Sequence, residues 1–132
     1  SDIGSRLPIY CTSQGKVFLA HMSRTSAEAL LRAQHMTQFT PHTITDLTAL
    51  MQEIDLCRTD GYAIENGEYK IGLRSISAPV YTVEGKARYT VGVIGMFRST
   101  RSDEFLAAVE QVCATASMIS TALGYRKTEE LL

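Results

Sequence analysis

The chain lacks the charge imbalance that contact with nucleic acid demands: 13 Lys and Arg stand against 14 Asp and Glu, a net charge of −1 over 132 residues. A protein that neutralises phosphates presents a basic face, so this stretch is not read as the part of a protein that grips DNA or RNA. It also lacks any run of about 18 apolar residues, the length that spans a bilayer as a helix, and no membrane partner is expected. Its opening, SDIGSRLPIY, has no basic-then-apolar leader pattern. No Pro/Gly/Ser-rich linker and no internal repeat divides it, which points to a single domain over residues 1–132. Metal-spaced cysteines are missing too. Cys11, Cys57 and Cys113 are odd in number and far apart, which suggests a reduced, cytoplasmic setting and neither metal nor other cofactor.

What is present is 45% hydrophobic and 20% charged, enough to build one core. After an extended LPIY, Thr12 or Ser13 is placed to cap a first helix that reaches Met22. A second helix is expected from TSAE, where Thr25 and Glu28 have capping-box spacing. Thr45 or Asp46 caps a third, with Leu47, Leu50, Met51, Ile54 and Cys57 near a 3.6-residue period and Gly61 as its stop. The loop ENGEYKIG follows. Two strands, Leu73 to Tyr81 and Ala87 to Phe97, flank a turn at Glu84-Gly85. In the second strand Tyr89, Val91, Val93 and Phe97 share one face, and Thr90, Gly92, Ile94 and Met96 the other, the pattern of a strand covered on both sides. Ile76, Ala78 and Val80 give the first strand a core face; Leu73, Ser75 and Ser77 give it a mixed one. Ser102 or Asp103 caps a final helix whose stripe of Phe105, Val109, Val112, Ala116, Ile119 and Leu123 suits the apolar face of the sheet. The expected fold is α/β in the α+β sense: an antiparallel sheet with helices packed on one face and a ligand pocket on the other.

Motifs for catalysis are missing. His21, His35 and His42 have no carboxylate or cysteine partner at motif spacing and read as exposed polar residues. TSQGK looks like part of a phosphate loop but lacks the first glycine and the Ser/Thr after Lys16. No triad or nucleophile elbow occurs. Binding chemistry is better supported. The first N–H groups of a helix have no internal partner and carry positive partial charge. An anion at the mouth of the first helix therefore gains hydrogen bonds, and small side chains at Ser13 and Gly15 leave the amides open. Ordinary capping, with Gly15 easing close packing, explains the same residues. Glu65, Asn66 and Glu68 read equally as a solvated loop, Gly92 as a bulge, and Ser75 and Ser77 as hydroxyls bonded to nearby backbone. Convergence favours the pocket: Ser75, Gly92 and Ile94 fall on one sheet face, and a site between that face and the helix mouth accounts for them together.

In combination and order, RLP, GK..LA, TIT, R..GYA, E...G, SAPV and a closing LG are specific. From about Gly4 to Tyr125 the chain resembles the effector-binding domain of the IclR family of bacterial transcriptional regulators. The resemblance implies a GAF-like α/β domain that binds a small metabolite. It implies an N-terminal winged helix-turn-helix that binds operator DNA, absent from this chain, and assembly as a homodimer or homotetramer. It implies, too, a helix and further strands before the point where this chain begins. By position it carries ligand contacts to Leu7, Ser13, Gln14, Glu65, Leu73, Ser75, Gly92 and Ile94, with Gly15 among the helix-mouth amides. A ligand carboxylate meets the amides of residues 13–16, Ser75 and Gln14 add hydrogen bonds, and Leu7, Leu73 and Ile94 give apolar contact. Glu65 accepts from a ligand hydroxyl or is protonated on burial. Three positions depart from the family pattern. Gln14 is larger than usual, and Gly92 and Ile94 remove two hydroxyls, which implies a less polar pocket, wider at Gly92, suited to an acid with an apolar portion. The expected role is sensing of a small organic acid, which modulates operator binding through the oligomer by population shift, rather than catalysis. A GAF-type sensor with another output and a small-molecule enzyme are the rival readings.

Overall fold

The computed structural model describes residues 7–127. Gly4 and Arg6, the first residues of the resemblance, lie outside the described residues. Each helix starts where a short polar side chain accepts from an N–H that has no intrahelical acceptor. Thr12 accepts from Gly15 to open α1 (Ser13–Ala20), and Ser23 from Ser26 to open α2 (Arg24–Arg32). Asp46 accepts from Ala49 to open α3 (Leu47–Asp60), and Ser102 from Phe105 to open α4 (Asp103–Ala122). The second start differs from the expected one. The hydroxyl of Ser23, in extended backbone, meets the Ser26 N–H at 3.1 Å, so Thr25 already lies inside the helix. Gly61, at φ 81°, ends α3 in a left-handed conformation that a side chain would strain.

Three antiparallel strands follow in the spatial order β1 (Ala63–Asn66), β2 (Arg74–Tyr81), β3 (Ala87–Gly95). β1 takes up part of the expected loop; its four residues are too few and too polar to show an alternation. Residues 7–10, expected to be extended, run as an irregular segment rather than a strand. The turn between β2 and β3 closes through Gly85 N–H to the Thr82 carbonyl at 2.9 Å.

Two cores lie on opposite sides of the sheet. One is enclosed by α1, α2 and α3, with Val17, Leu19, Leu31, Leu50 and Ile54 packed towards Ala63 of β1. The other sets Ile76, Ala78 and Val80 against Phe105, Val112 and Ala116 of α4. Each fully buried Leu, Ile or Phe contributes about 2 kcal/mol by leaving water. β2 is therefore buried on both faces. β3, expected to be covered on both faces, is instead an edge strand, with Tyr89 62% and Ile94 66% exposed. The α4 stripe also outruns the sheet: Phe105, Val112 and Ala116 are buried, whereas Ile119 and Leu123 remain 40% and 45% exposed. By length and composition α4 is apolar enough to cross a bilayer, but its apolar stripe packs on β2 and β3.

Candidate functional site

Strand register decides which side chains share the mixed face of the sheet. Glu65, Ser75 and Ile94 are direct cross-strand partners, and Ala63, Ser77 and Gly92 form the next row. The first turn of α1 sits on these two rows. Ser13 Oγ lies 2.7 Å from Ser77 Oγ and 2.9 Å from Ser75 Oγ, and Ser75 Oγ lies 3.0 Å from Glu65 Oε1. The second carboxylate oxygen of Glu65 accepts from the N–H groups of Glu68 at 2.7 Å and Tyr69 at 3.4 Å. All four side chains are buried. Three hydroxyls and a carboxylate thus fill the seam between α1 and the sheet, and their mutual bonds offset the cost of removing them from water.

Around this buried floor the other expected residues take different places. Gln14, Gly92 and Ile94 form an exposed rim beside it. A separate groove of about 590 Å³ lies between α1 and the first half of β3, lined by Phe18, His21, Lys86, Arg88, Tyr89 and Thr90. Gly92 does not widen the site. A Cβ there would stand 2.4 Å from the Ile76 carbonyl oxygen and 2.6 Å from Ser77 Oγ, so the close ladder and the serine hydroxyl already occupy that space. Gly15 is explained by close approach as well, because its Cβ would meet the Ile9 carbonyl oxygen at 2.2 Å. Its N–H goes to Thr12 Oγ1 and that of Lys16 to the Thr12 carbonyl, leaving the amides of Ser13 and Gln14 as those the helix itself cannot satisfy. Leu73 is half-buried just before β2, and Leu7 lies apart, in a groove with Tyr10, Gln34, Thr37 and Phe39.

Lys16 turns away from the helix mouth. Its ammonium, 1% exposed, donates to the Ile64 carbonyl at 3.0 Å and to Glu68 Oε2 at 2.9 Å. The same Glu68 oxygen accepts from the Asn66 N–H at 3.0 Å. Ile64 and Asn66 alternate along β1, so the ion pair satisfies outward-facing backbone groups of an edge strand. A phosphate-loop role for TSQGK is thereby lost, since the lysine is committed elsewhere. Sequence reasoning missed both this pair and Ser77 as a member of the site. The available signal for Ser77 was its place two residues beyond Ser75, on the same face.

All three histidines are exposed, as expected, with His21 Nε2 2.8 Å from the Tyr81 hydroxyl. Burial pushes the Cys11 thiol up to about 12 and that of Cys57 to about 11, so both are protonated and unreactive near neutral pH. Among the described residues no group of three His, Cys, Asp or Glu side chains is placed to hold a metal ion.

The family model for the bacterial transcriptional regulator IclR C-terminal region matches residues 1–121. The chain belongs to the IclR family. Its GAF-like α/β fold is that of the IclR C-terminal domain. The HTH-type transcriptional repressor AllR of Escherichia coli K12 is 30% identical over 126 residues, which are 96% of this chain and 46% of that protein. The chain thus spans about half the length of the curated relatives it matches. The repressor BlcR of Agobacterium tumefaciens superposes with a TM-score of 0.81 at 31% identity, over 96% of this chain and 51% of that one. The inducer-binding domain of the Acinetobacter transcription factor PobR, a double mutant in complex with 3-hydroxybenzoic acid, gives a TM-score of 0.78 at 25% identity, over 89% of this chain and 67% of that one. These IclR relatives are transcriptional regulators.

Proposed function

We propose that this IclR domain senses a small organic acid, and that the acid binds at the rim of Gln14, Gly92 and Ile94 above the Ser13–Ser75–Ser77–Glu65 floor. The observation that carries the reading is the floor itself. Four polar side chains are buried in a seam that apolar residues would close at less cost, and such departures from good packing concentrate at functional sites. The amides of Ser13 and Gln14, at the positive end of α1, suit a carboxylate. Phe18 and Ile94 offer contact to an apolar portion, and Lys86 and Arg88 favour an anion in the groove beside α1. A relative's domain that holds 3-hydroxybenzoic acid supports the same class. Ligand contacts from Leu7 and Leu73 have less support, since Leu7 lies apart from the floor.

The same reading gives the whole protein an operator-binding domain, a homodimeric or homotetrameric assembly and a cytoplasmic setting. It gives no catalytic role to the site. Further strands of the domain run along β3, where Tyr89, Ile94 and the end of the α4 stripe are exposed. The acid acts by binding one arrangement of the oligomer better than the other, the only way a ligand shifts an equilibrium. A thermal-shift screen of the full-length protein against organic acids tests this. A specific acid at 100 times its Kd stabilises the folded state by about 2.7 kcal/mol and raises Tm. A panel in which no acid raises Tm, or in which a bound acid leaves operator affinity unchanged, sinks the reading.

A further inference from the structure

Lys16, Arg24, Arg32 and Arg58 each face a carboxylate, and Arg74 bonds to Asn66 and to the Phe97 carbonyl. Lys86 and Arg88 have no such partner among the described residues, yet they stand two residues apart in the groove beside α1. No acidic residue lines that groove. The strand is irregular at the same place. Val80 pairs with Tyr89 and Tyr81 with Ala87, so Arg88 is the extra residue of a bulge and has no Cα partner on β2. Bulges re-aim side chains and gather beside functional sites. On the opposite wall α1 buries Val17, Leu19 and Ala20 and leaves Phe18 56% exposed.

We infer that this groove is a second binding site, for an organic acid that carries a ring, with Arg88 as the residue that holds its carboxylate. The guanidinium fork matches a carboxylate in two parallel hydrogen bonds, and Lys86 adds a second positive charge. A ring on the acid packs against Phe18 across the groove. His21 serves as wall and not as anchor. The Val17 carbonyl can only accept, so Nδ1 carries the hydrogen of that 2.8 Å contact, and Nε2 is engaged by the Tyr81 hydroxyl. Two cations without an acid repel metal ions and amines, and they are too few to hold a nucleic-acid backbone. A groove of about 590 Å³ is of the size that encloses a ring-bearing ligand, and an acid as small as acetate leaves most of it to water. The site is distinct from the rim. Arg88 lies four residues along β3 from Gly92, about 13 Å in an extended strand, so one small acid does not reach both.

The test is calorimetric titration of the full-length protein with benzoate, 3-hydroxybenzoate and phenylacetate, and with acetate and inorganic phosphate as anions without a ring. Ile94→Glu places a negative charge on the rim, about 20 Å along β3 from Arg88, a distance at which 0.15 M salt screens it. Gln14→Glu closes the rim in the same way if the first variant folds poorly. With the rim closed, at least one ring-bearing acid is expected to keep its affinity within about twofold. It is expected to bind at least fivefold more tightly than acetate or phosphate. Adding Arg88→Gln, at an exposed position, should then weaken it at least about tenfold, the worth of a hydrogen bond to a charged group. Loss of binding when the rim alone is closed, affinity unmoved by Arg88→Gln, or phosphate and acetate bound equally well overturns the inference and leaves acid sensing at the rim intact. Failure of all three ring-bearing acids to bind the wild type also overturns it, whereas the acid-sensing reading falls only if the wider acid panel leaves Tm unchanged.

Discussion

Lys16→Met separates the structural work at the start of α1 from its ligand chemistry. Methionine keeps much of the aliphatic stem and removes the ammonium. The Ile64 carbonyl then loses its donor, and the Glu68 carboxylate, 4% exposed, is left with the Asn66 N–H on one oxygen. Its other oxygen has no partner among the described residues. Breaking a buried ion pair from one side costs about 3–5 kcal/mol, a large share of the roughly 5–15 kcal/mol that holds a domain together. Glu53, 3.8 Å from Lys16 but with 41% of its side chain exposed, adds little to the pair being lost. At roughly 3–5 °C per kcal/mol for a domain of this size, Tm falls by on the order of 10–20 °C. Urea unfolding at pH 7 should show the midpoint reduced with an unchanged m value. Glu68→Gln added to Lys16→Met removes the stranded charge and keeps an acceptor for Asn66, and should restore at least about half of the loss. A single variant that loses under about 1 kcal/mol, or a double variant no more stable than the single, refutes the assignment of Lys16 to the β1 edge.

Gly15→Ala should cost about 2 kcal/mol or more, because the new methyl meets backbone atoms of Ile9 at 2.2 to 2.6 Å and the chain must move; a thermal melt matching wild type would show that the crossing is looser than described. Asp46→Ala removes the cap of α3 and should cost about 1 kcal/mol in urea unfolding, whereas Asp46→Asn, which keeps an acceptor for the Ala49 N–H, should stay close to wild type. Stability should fall as pH rises above about 9, because unfolded thiols then release protons that buried Cys11 and Cys57 retain until about 12 and about 11. Replacing either cysteine by alanine should flatten the decline in Tm between pH 8.5 and 10.5, roughly the window between unfolded and folded titration; an unaltered slope in both variants would rule the thiols out as its source.

The helices were legible because their signals are local. Asp46, Ser102 and Gly61 act within one turn of their own position, and the α3 and α4 stripes need only the helical period. β1 was not legible, since four residues reading Ala-Ile-Glu-Asn become a strand only when β2 supplies partners. The exposure of β3 was equally out of reach: alternation reveals two apolar faces but not whether anything in the chain covers them. For the site, periodicity on β2 and the cap at Thr12 brought Ser13 and Ser75 into view, and Glu65 stood out in the acidic loop and again in the family pattern. Their direct contact depends on register across residues more than 60 apart in sequence, as does the role of Ser77.

Two buried polar groups lie at the start of α1, and they differ in what the fold would lose without them. Lys16 and Glu68 bond to the backbone of β1, so their removal exposes an edge strand to unmet hydrogen bonds. Glu65 likewise holds the turn that leads through Glu68 and Tyr69. Ser13, Ser75 and Ser77 hold no backbone group through the contacts that join them; they satisfy one another and Glu65. Alanine at all three positions would remove three hydroxyls together, an exchange that can be nearly neutral for a seam because no partner is stranded except one carboxylate oxygen. A chain under selection for stability alone has little reason to keep three such hydroxyls in line. On the acid-sensing reading proposed above, their reason lies in a bound ligand, and among the described residues the element they join to the sheet is the mouth of α1.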